Sequence, residues 1–221
     1  MISRFNNWMV TTKLYKYLTR MILPFLGFRI WGVPAYDMEN YFRIRKCIRD
    51  NPNEIYAFVC VNKKAVSYFL NHLLTGAKWS HAGFLYLDDE GEVRMRHMLG
   101  SGFQDWTLLS YLREVDDFAL LTVPVMPEKK DQCKSRLAKI ERRHLLVSYD
   151  FNFDLSDKLV TILDDETDDR FVGCPLYCSE LVWVCCYGLV SDNHVLQPKW
   201  RLERSVFEPD DVFVACKKIE V

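Results

Sequence analysis

The run Leu181–Tyr187 (LVWVCCY) carries no charged side chain at all. A helix that is apolar all round has to be enclosed by the rest of its own chain. Pro175 breaks regular structure just upstream, so the pattern predicts a mostly buried helix that begins near Cys178. The chain must therefore build layers around this element. Its 221 residues suffice for one domain with a full core and some decoration, and less readily for two small domains.

Several β-rich runs can supply the enclosing layer. Ile55–Val61 (IYAFVCV), Ser80–Leu87 (SHAGFLYL), Val93–Met98 (VRMRHM), Phe118–Val125 (FALLTVPV) and Val212–Cys216 read as strands. Asp88–Glu92, acidic with one glycine, predicts a hairpin loop between the second and third of them, and Gly100-Ser101-Gly102 breaks the third. Lys63–Leu74 has helical periodicity with Gly76 as a stop, and Glu128–His144 predicts a charged surface helix. The expected fold is α+β: a central, mostly antiparallel sheet packed against the Cys178 helix.

Residues 1–49 hold nine Lys or Arg against two acidic residues, Asp37 and Glu39. Val10, Leu14, Tyr17, Leu18, Met21 and Ile22 share one side at helical spacing, with Lys13, Lys16 and Arg20 on another, up to the break at Pro24. Residues 1–50 are thus expected to form a basic helical extension to a domain of residues 51–221. Packing on its own domain is the favoured role. Peripheral contact with a membrane surface or partner, or an organelle-targeting peptide, are the alternatives. The apolar stretch Met21–Phe28 is far shorter than the roughly 20 residues that span a bilayer.

The hydrophobic fraction of 49% and charged fraction of 27% are those of an ordinary globular protein. A net charge of −1 gives no global field to attract nucleic acid, so no nucleic-acid partner is expected. The eight cysteines sit largely within apolar runs and do not space like a disulfide framework, which points to a reducing compartment such as the cytoplasm. Cys174, Cys178, Cys185 and Cys186 lack the C-x₂-C spacing of a zinc motif. The acidic run at 164–169 (DDETDD) lacks the glycine and spacing of a calcium loop and reads as a solvated loop. No cofactor is expected.

The residue with the most chemical scope is Cys178. A thiolate is the nucleophilic form of cysteine, and the free N–H groups and dipole of a helix N-terminus favour that negative charge. Cys178 stands where a helix should begin, and backbone N–H groups there could also hold an oxyanion. His81 sits early in a strand beside the small residues Ala82 and Gly83, which leave room for a substrate or another backbone. His97 falls on the neighbouring strand, within reach of the His81 ring. Each could equally be structural: an inert packed thiol, a satisfied histidine, an exposed histidine in a basic run.

Four segments taken in order carry more: Trp79-Ser80-His81-Ala82-Gly83-Phe84, His97-Met98-Leu99-Gly100-Ser101-Gly102-Phe103, Tyr149-Asp150-Phe151-Asn152-Phe153-Asp154 and Tyr177-Cys178-Ser179-Glu180-Leu181-Val182. This set resembles the circularly permuted branch of the NlpC-type papain-like cysteine amidases, the YiiX-like or YebB-like proteins, over roughly residues 54–215. The resemblance implies a permuted papain-like fold in which the histidine strand precedes the cysteine helix. It implies Cys178 as nucleophile and His81 as general base and acid. The third position, often Glu in relatives, is His97 here, which supports an imidazolium less well. Tyr149, Ser80 and Tyr177 are expected beside the substrate, while Glu180 reads as a first-turn residue favoured by the helix dipole.

The resemblance implies a thiol hydrolase acting on small peptide, isopeptide or N-acyl amides through an acyl-enzyme. Acyl transfer or ester cleavage on a lipid or N-acyl substrate is the enzymatic alternative. A binding module that has kept the fold without the activity is the non-enzymatic one.

Overall fold

The computed structural model describes residues 38–62, 76–142, 147, 149–150, 155, 157–165, 175–201 and 204–220. The expected N-terminal amphipathic helix, the Lys63–Leu74 helix, Cys174 and residues 166–169 of the acidic run lie outside the described residues.

Six strands form one sheet. These are β1 (Tyr56–Val61), β2 (His81–Leu87), β3 (Val93–Leu99), β4 (Gly102–Thr107), β5 (Asp117–Thr122) and β8 (Lys217–Ile219). They lie in the order β4-β3-β2-β1-β5-β8, with every neighbouring pair antiparallel. A separate two-stranded ribbon pairs β6 (Lys199–Arg201) with β7 (Arg204–Val206). The fold is α+β, as the sequence implies.

Both faces of the large sheet are covered, which is why β1 reads as an unbroken apolar run instead of an alternating one. Ala57, Val59, Ala82, Phe84 and Leu121 point into one core. Tyr56, Phe58, Cys60, Leu85, Met95 and Leu120 point into the other. The first core is closed by α5 (Cys178–Cys186), itself packed among α3 (Lys130–Arg142), α4 (Asp157–Asp164) and α6 (Pro209–Ala215). All nine residues of α5 are buried, so the all-apolar run at Leu181 is answered by enclosure on every side.

The second core lies under α1 (Met38–Asp50) and the short α2 (Leu108–Leu112). Tyr41, Ile44 and Ile48 recur at helical spacing on α1 and are buried, so residues 38–50 pack against the sheet.

One expectation needs correction. Val212–Cys216 does not form a strand: Val212 to Ala215 complete α6, and the strand follows at Lys217. Pro209 stands in the first turn, and the Glu208 N–H donates to Asp211 Oδ2 at 2.9 Å. That proline and carboxylate start the helix and outweigh the β-propensity of two valines and a phenylalanine. The break expected at Gly100-Ser101-Gly102 does end β3, and it does so as a tight hairpin. Leu99 pairs with Gly102, Gly102 adopts φ 102°, and the chain returns as β4 along the sheet edge.

Candidate active site

Cys178 is the first residue of α5 and lies at the edge of the first core, 5% exposed. Its position follows from the segment before it. The Asp150 N–H donates to the Leu176 carbonyl at 3.0 Å, and Tyr149 bridges Leu176 in parallel, so the Tyr149 strand segment and the cysteine segment are clamped together. Tyr177 then provides the extended N-cap, and its N–H donates to Glu180 Oε2 at 3.3 Å. Glu180 is thus a fully buried first-turn cap, where the helix dipole favours its charge.

The Cys178 sulfur is surrounded by donors. The backbone N–H groups of Ala82 and Ser179 and the hydroxyl of Tyr149 bear on it, while the Ser179 hydroxyl finds no hydrogen-bond partner among the described residues. Ala82 is the residue after His81, so the thiol rests against the start of β2. Among the described residues the thiol makes no hydrogen bond to His81 itself.

His81 opens β2, and His97 lies two strand positions along and one strand over, directly across from Gly83. Both side chains emerge on the same sheet face. Their rings meet edge to face, with His81 Nε2 and His97 Nδ1 2.8 Å apart. This bond uses the nitrogen of His81 that is farther from its backbone. The Nδ1 of His81 makes no hydrogen bond among the described residues. Tyr111 from α2 and Trp106 from β4 wall the pair.

The electrostatics favour neutral groups. Burial, and then the proximity of His97, holds His81 well below the usual imidazole range. Burial also lowers His97 to about 4, against a smaller upward pull from the Asp105 carboxylate. Burial raises Cys178, and the Ala82, Ser179 and Tyr149 donors reduce the rise without reversing it. The sequence expectation that the helix terminus would lower this thiol is therefore corrected: the dry surroundings of the sulfur outweigh the N–H groups facing it. At neutral pH the site holds a thiol and two uncharged imidazoles, and a base of this kind takes its proton only as the thiol reacts.

The remaining expected residues divide. Tyr149 is half-buried, and its hydroxyl works against the rise of the Cys178 thiol. The Ser80 hydroxyl accepts from the Asn62 N–H at 3.1 Å and donates to the Cys60 carbonyl at 3.3 Å, so it ties the start of β2 to the end of β1. The Tyr177 hydroxyl accepts from the Phe207 N–H at 3.1 Å inside the core. Both latter hydroxyls are spent on backbone, which accounts for their burial without a substrate. Cys185 and Cys186 point to the rear of α5, where Cys186 Sγ lies 3.6 Å from Cys133 Sγ, and do not join Cys178 in a cluster.

Sequence reasoning missed Tyr111 and Trp106. The available signal was Thr107, whose hydroxyl accepts from the Ser110 N–H at 3.4 Å and caps the short helix that carries Tyr111.

No protein-family model matches the chain, and no curated protein matches it in sequence. Among solved structures the fold is similar to that of metalloprotein yiiX from Escherichia coli O157:H7. The TM-score is 0.52 at 16% sequence identity, over 76% of this chain and 96% of that one. The likeness is one of fold. Among the described residues no helix is long and apolar enough to cross a membrane.

Proposed function

We propose that this chain is a thiol hydrolase of the permuted papain-like kind, cleaving an amide or related acyl bond through an acyl-enzyme on Cys178. The observation that carries the reading is the junction of α5 and β2. A first-turn cysteine there rests its sulfur on the N–H of Ala82, next in the chain to a histidine that is itself held by a second histidine. The order of the elements, histidine strand before cysteine helix, and the likeness to yiiX support the same reading.

In this scheme His81 turns its Nδ1 onto the thiol. The thiol proton passes to His81 as sulfur attacks the substrate carbonyl carbon, forming the C–S bond and an oxyanion. Collapse of that intermediate breaks the bond to the leaving amine, which takes the proton from His81. Water then gives a proton to His81 and attacks the thioester, releasing the acid and restoring the thiol. His97 accepts the His81 Nε2–H throughout and fixes the ring.

The word metalloprotein belongs to yiiX, and the described residues here do not fit a metal. Among them no group of three or more His, Cys, Asp or Glu converges to hold one. His81 and His97 hydrogen-bond directly at 2.8 Å, with no gap between the two nitrogens for an ion whose bonds to imidazole run about 2.0–2.1 Å.

A second reading, a binding module on the same scaffold, is favoured by one specific observation: the thiol is raised by burial and not paired with His81. Intact-protein mass spectrometry with p-nitrophenyl acyl esters and N-acyl p-nitroanilides separates the two. The hydrolase reading expects one acyl group per chain, mapped to Cys178, lost in Cys178→Ser and slowed by about 10²-fold or more in His81→Gln. A folded chain that is never acylated at Cys178 by either reagent class leaves the binding module. Adding an amine acceptor distinguishes transfer from hydrolysis.

A further inference from the structure

We infer that Trp106 and Tyr111 are positioning residues that hold His97 in its Nε2-protonated tautomer, and so leave His81 with a free Nδ1 lone pair. The role given to that lone pair rests on the function proposed above; the tautomer assignment does not.

The 2.8 Å contact between His81 Nε2 and His97 Nδ1 holds a single proton, and two arrangements satisfy it. In one, His81 donates from Nε2, its Nδ1 is bare, and His97 carries its own proton on Nε2. In the other, His97 donates from Nδ1, its Nε2 is bare, and His81 is protonated on Nδ1. Only the first leaves His81 able to take a proton from a thiol on its Nδ1 side. The choice is therefore made at the far nitrogen of His97.

That nitrogen is buried and has no hydrogen-bond partner among the described residues. The rings packed on the His97 imidazole are aromatic. The Tyr111 centroid lies 4.9 Å from that of His97 at an interplanar angle of 84°, and the Trp106 centroid lies 5.5 Å away at 72°. An aromatic face is electron-rich, so it accepts an N–H as a weak hydrogen bond and repels a bare nitrogen lone pair. On this inference the Nε2 edge of His97 meets those ring faces, and the enclosure selects its Nε2–H form.

Among the described residues, other acceptors are excluded by position. Asp105 points to the opposite sheet face, where it takes hydrogen bonds from Arg94 Nε at 3.0 Å and the Tyr86 hydroxyl at 2.6 Å. Gln104 lies across from His97 in the β3–β4 register but makes no hydrogen bond to it. Tyr111 is itself fixed: its hydroxyl lies 3.6 Å from Cys60 Sγ, and its ring also packs on His81 at 5.8 Å. The aromatic wall therefore spans both imidazoles and reads the proton on one of them.

The test is long-range ¹H–¹⁵N correlation on the full chain with ¹⁵N-labelled histidine at pH 7.5, where the nitrogen shifts and two-bond couplings separate the two tautomers. His97→Gln and His81→Gln variants assign the signals among the five histidines. The expected result is Nε2–H for both His81 and His97 in the wild type and in Tyr111→Phe, which keeps the ring. In Trp106→Leu and Tyr111→Leu the Nδ1–H form of His97 should become populated, with the rate of Cys178 acylation falling in proportion. An Nδ1–H signal for His97 in the wild type overturns the inference, and that spectrum needs no variant to fold. A folded Leu variant with unchanged tautomers, or a tautomer change in Gln104→Leu, overturns it too. Predicted tautomers without any acylation of Cys178 would instead remove the hydrolase and leave the assignment standing.

Discussion

Gly83 lies directly across from His97 in the β2–β3 pair, and a Cβ on Gly83 would stand 2.9 Å from the His97 Cβ and 2.8 Å from the Arg96 carbonyl oxygen. The space a side chain would fill at residue 83 is the space in which His97 leans toward His81. Neither obstacle gives way cheaply, because one is backbone and the other is the root of a fully buried ring. Gly83→Ala should therefore cost about 1–3 kcal/mol, the usual range for overpacking a tight core site. Urea unfolding monitored by tryptophan fluorescence reads this directly. A midpoint equal to that of the wild type would show that His97 does not need the gap.

Much of this arrangement could be seen in the sequence. The β1, β2 and β3 runs and the buried cysteine helix declare themselves because their burial pattern is simple, fully apolar or alternating along short stretches. The pairing of His81 with His97 follows from the acidic hairpin loop between their strands. Trp106 and Tyr111 are harder to place, since they arrive on β4 and α2 beyond a two-residue turn that looks like an end. The helix at Pro209 is hidden for a different reason: its apolar residues Val212, Phe213 and Val214 resemble a strand, and only Glu208-Pro209-Asp210-Asp211 carries the start signal. Local periodicity finds elements, whereas the aromatic wall depends on which elements the sheet order brings side by side.

The two site histidines should make the fold sensitive to mild acid. Their folded-state pKa values lie below the ordinary imidazole value, with His97 at about 4, so the unfolded chain binds protons that the folded chain does not. Stability is then full above about pH 6.5 and is lost as pH falls from there toward 4. The slope should reach about 1.4 kcal/mol per pH unit for each histidine. Urea midpoints at pH 7.5, 6 and 5 provide the check, with His97→Gln expected to flatten the dependence. Equal slopes in the wild type and the variant would mean that His97 titrates normally in the fold.

Arg136 governs the other end of the cysteine helix. Its Nη1 donates to the Val184 carbonyl at 3.1 Å and the Tyr187 carbonyl at 2.8 Å, while Nε and Nη2 each reach Asp164 at 2.7 Å. One buried guanidinium thus satisfies the last carbonyls of α5, places positive charge at its negative pole and ties it to α4. Arg136→Met should destabilise the fold by about 1–3 kcal/mol, the range for leaving buried carbonyls without their donor, because Asp164 itself is partly exposed. Arg136→Lys should recover only part of the loss, because an ammonium cannot make the forked contact. Full recovery by lysine in thermal or urea unfolding would argue that only the charge matters.

The reactivity of Cys178 turns on the balance between burial, which raises the thiol, and the donors that face it. The Tyr149 hydroxyl is a donor that can be removed without touching backbone. Tyr149→Phe keeps the ring and deletes one hydrogen bond to the thiolate, so more of the thiol should stay protonated at any given pH. A hydrogen bond to a charged acceptor is worth enough to slow alkylation of Cys178 roughly tenfold. Stability should change little, because the ring and the backbone bridge from Tyr149 to Leu176 remain. Iodoacetamide labelling between pH 6 and 10, resolved by cysteine with mass spectrometry, measures the effect. The wild-type profile for Cys178 should rise above the ordinary thiol range and move further up in the variant. Identical profiles would place the Tyr149 hydroxyl away from the sulfur in solution. A wild-type midpoint below that of an ordinary thiol would show that the helix N-terminus and its donors outweigh burial after all.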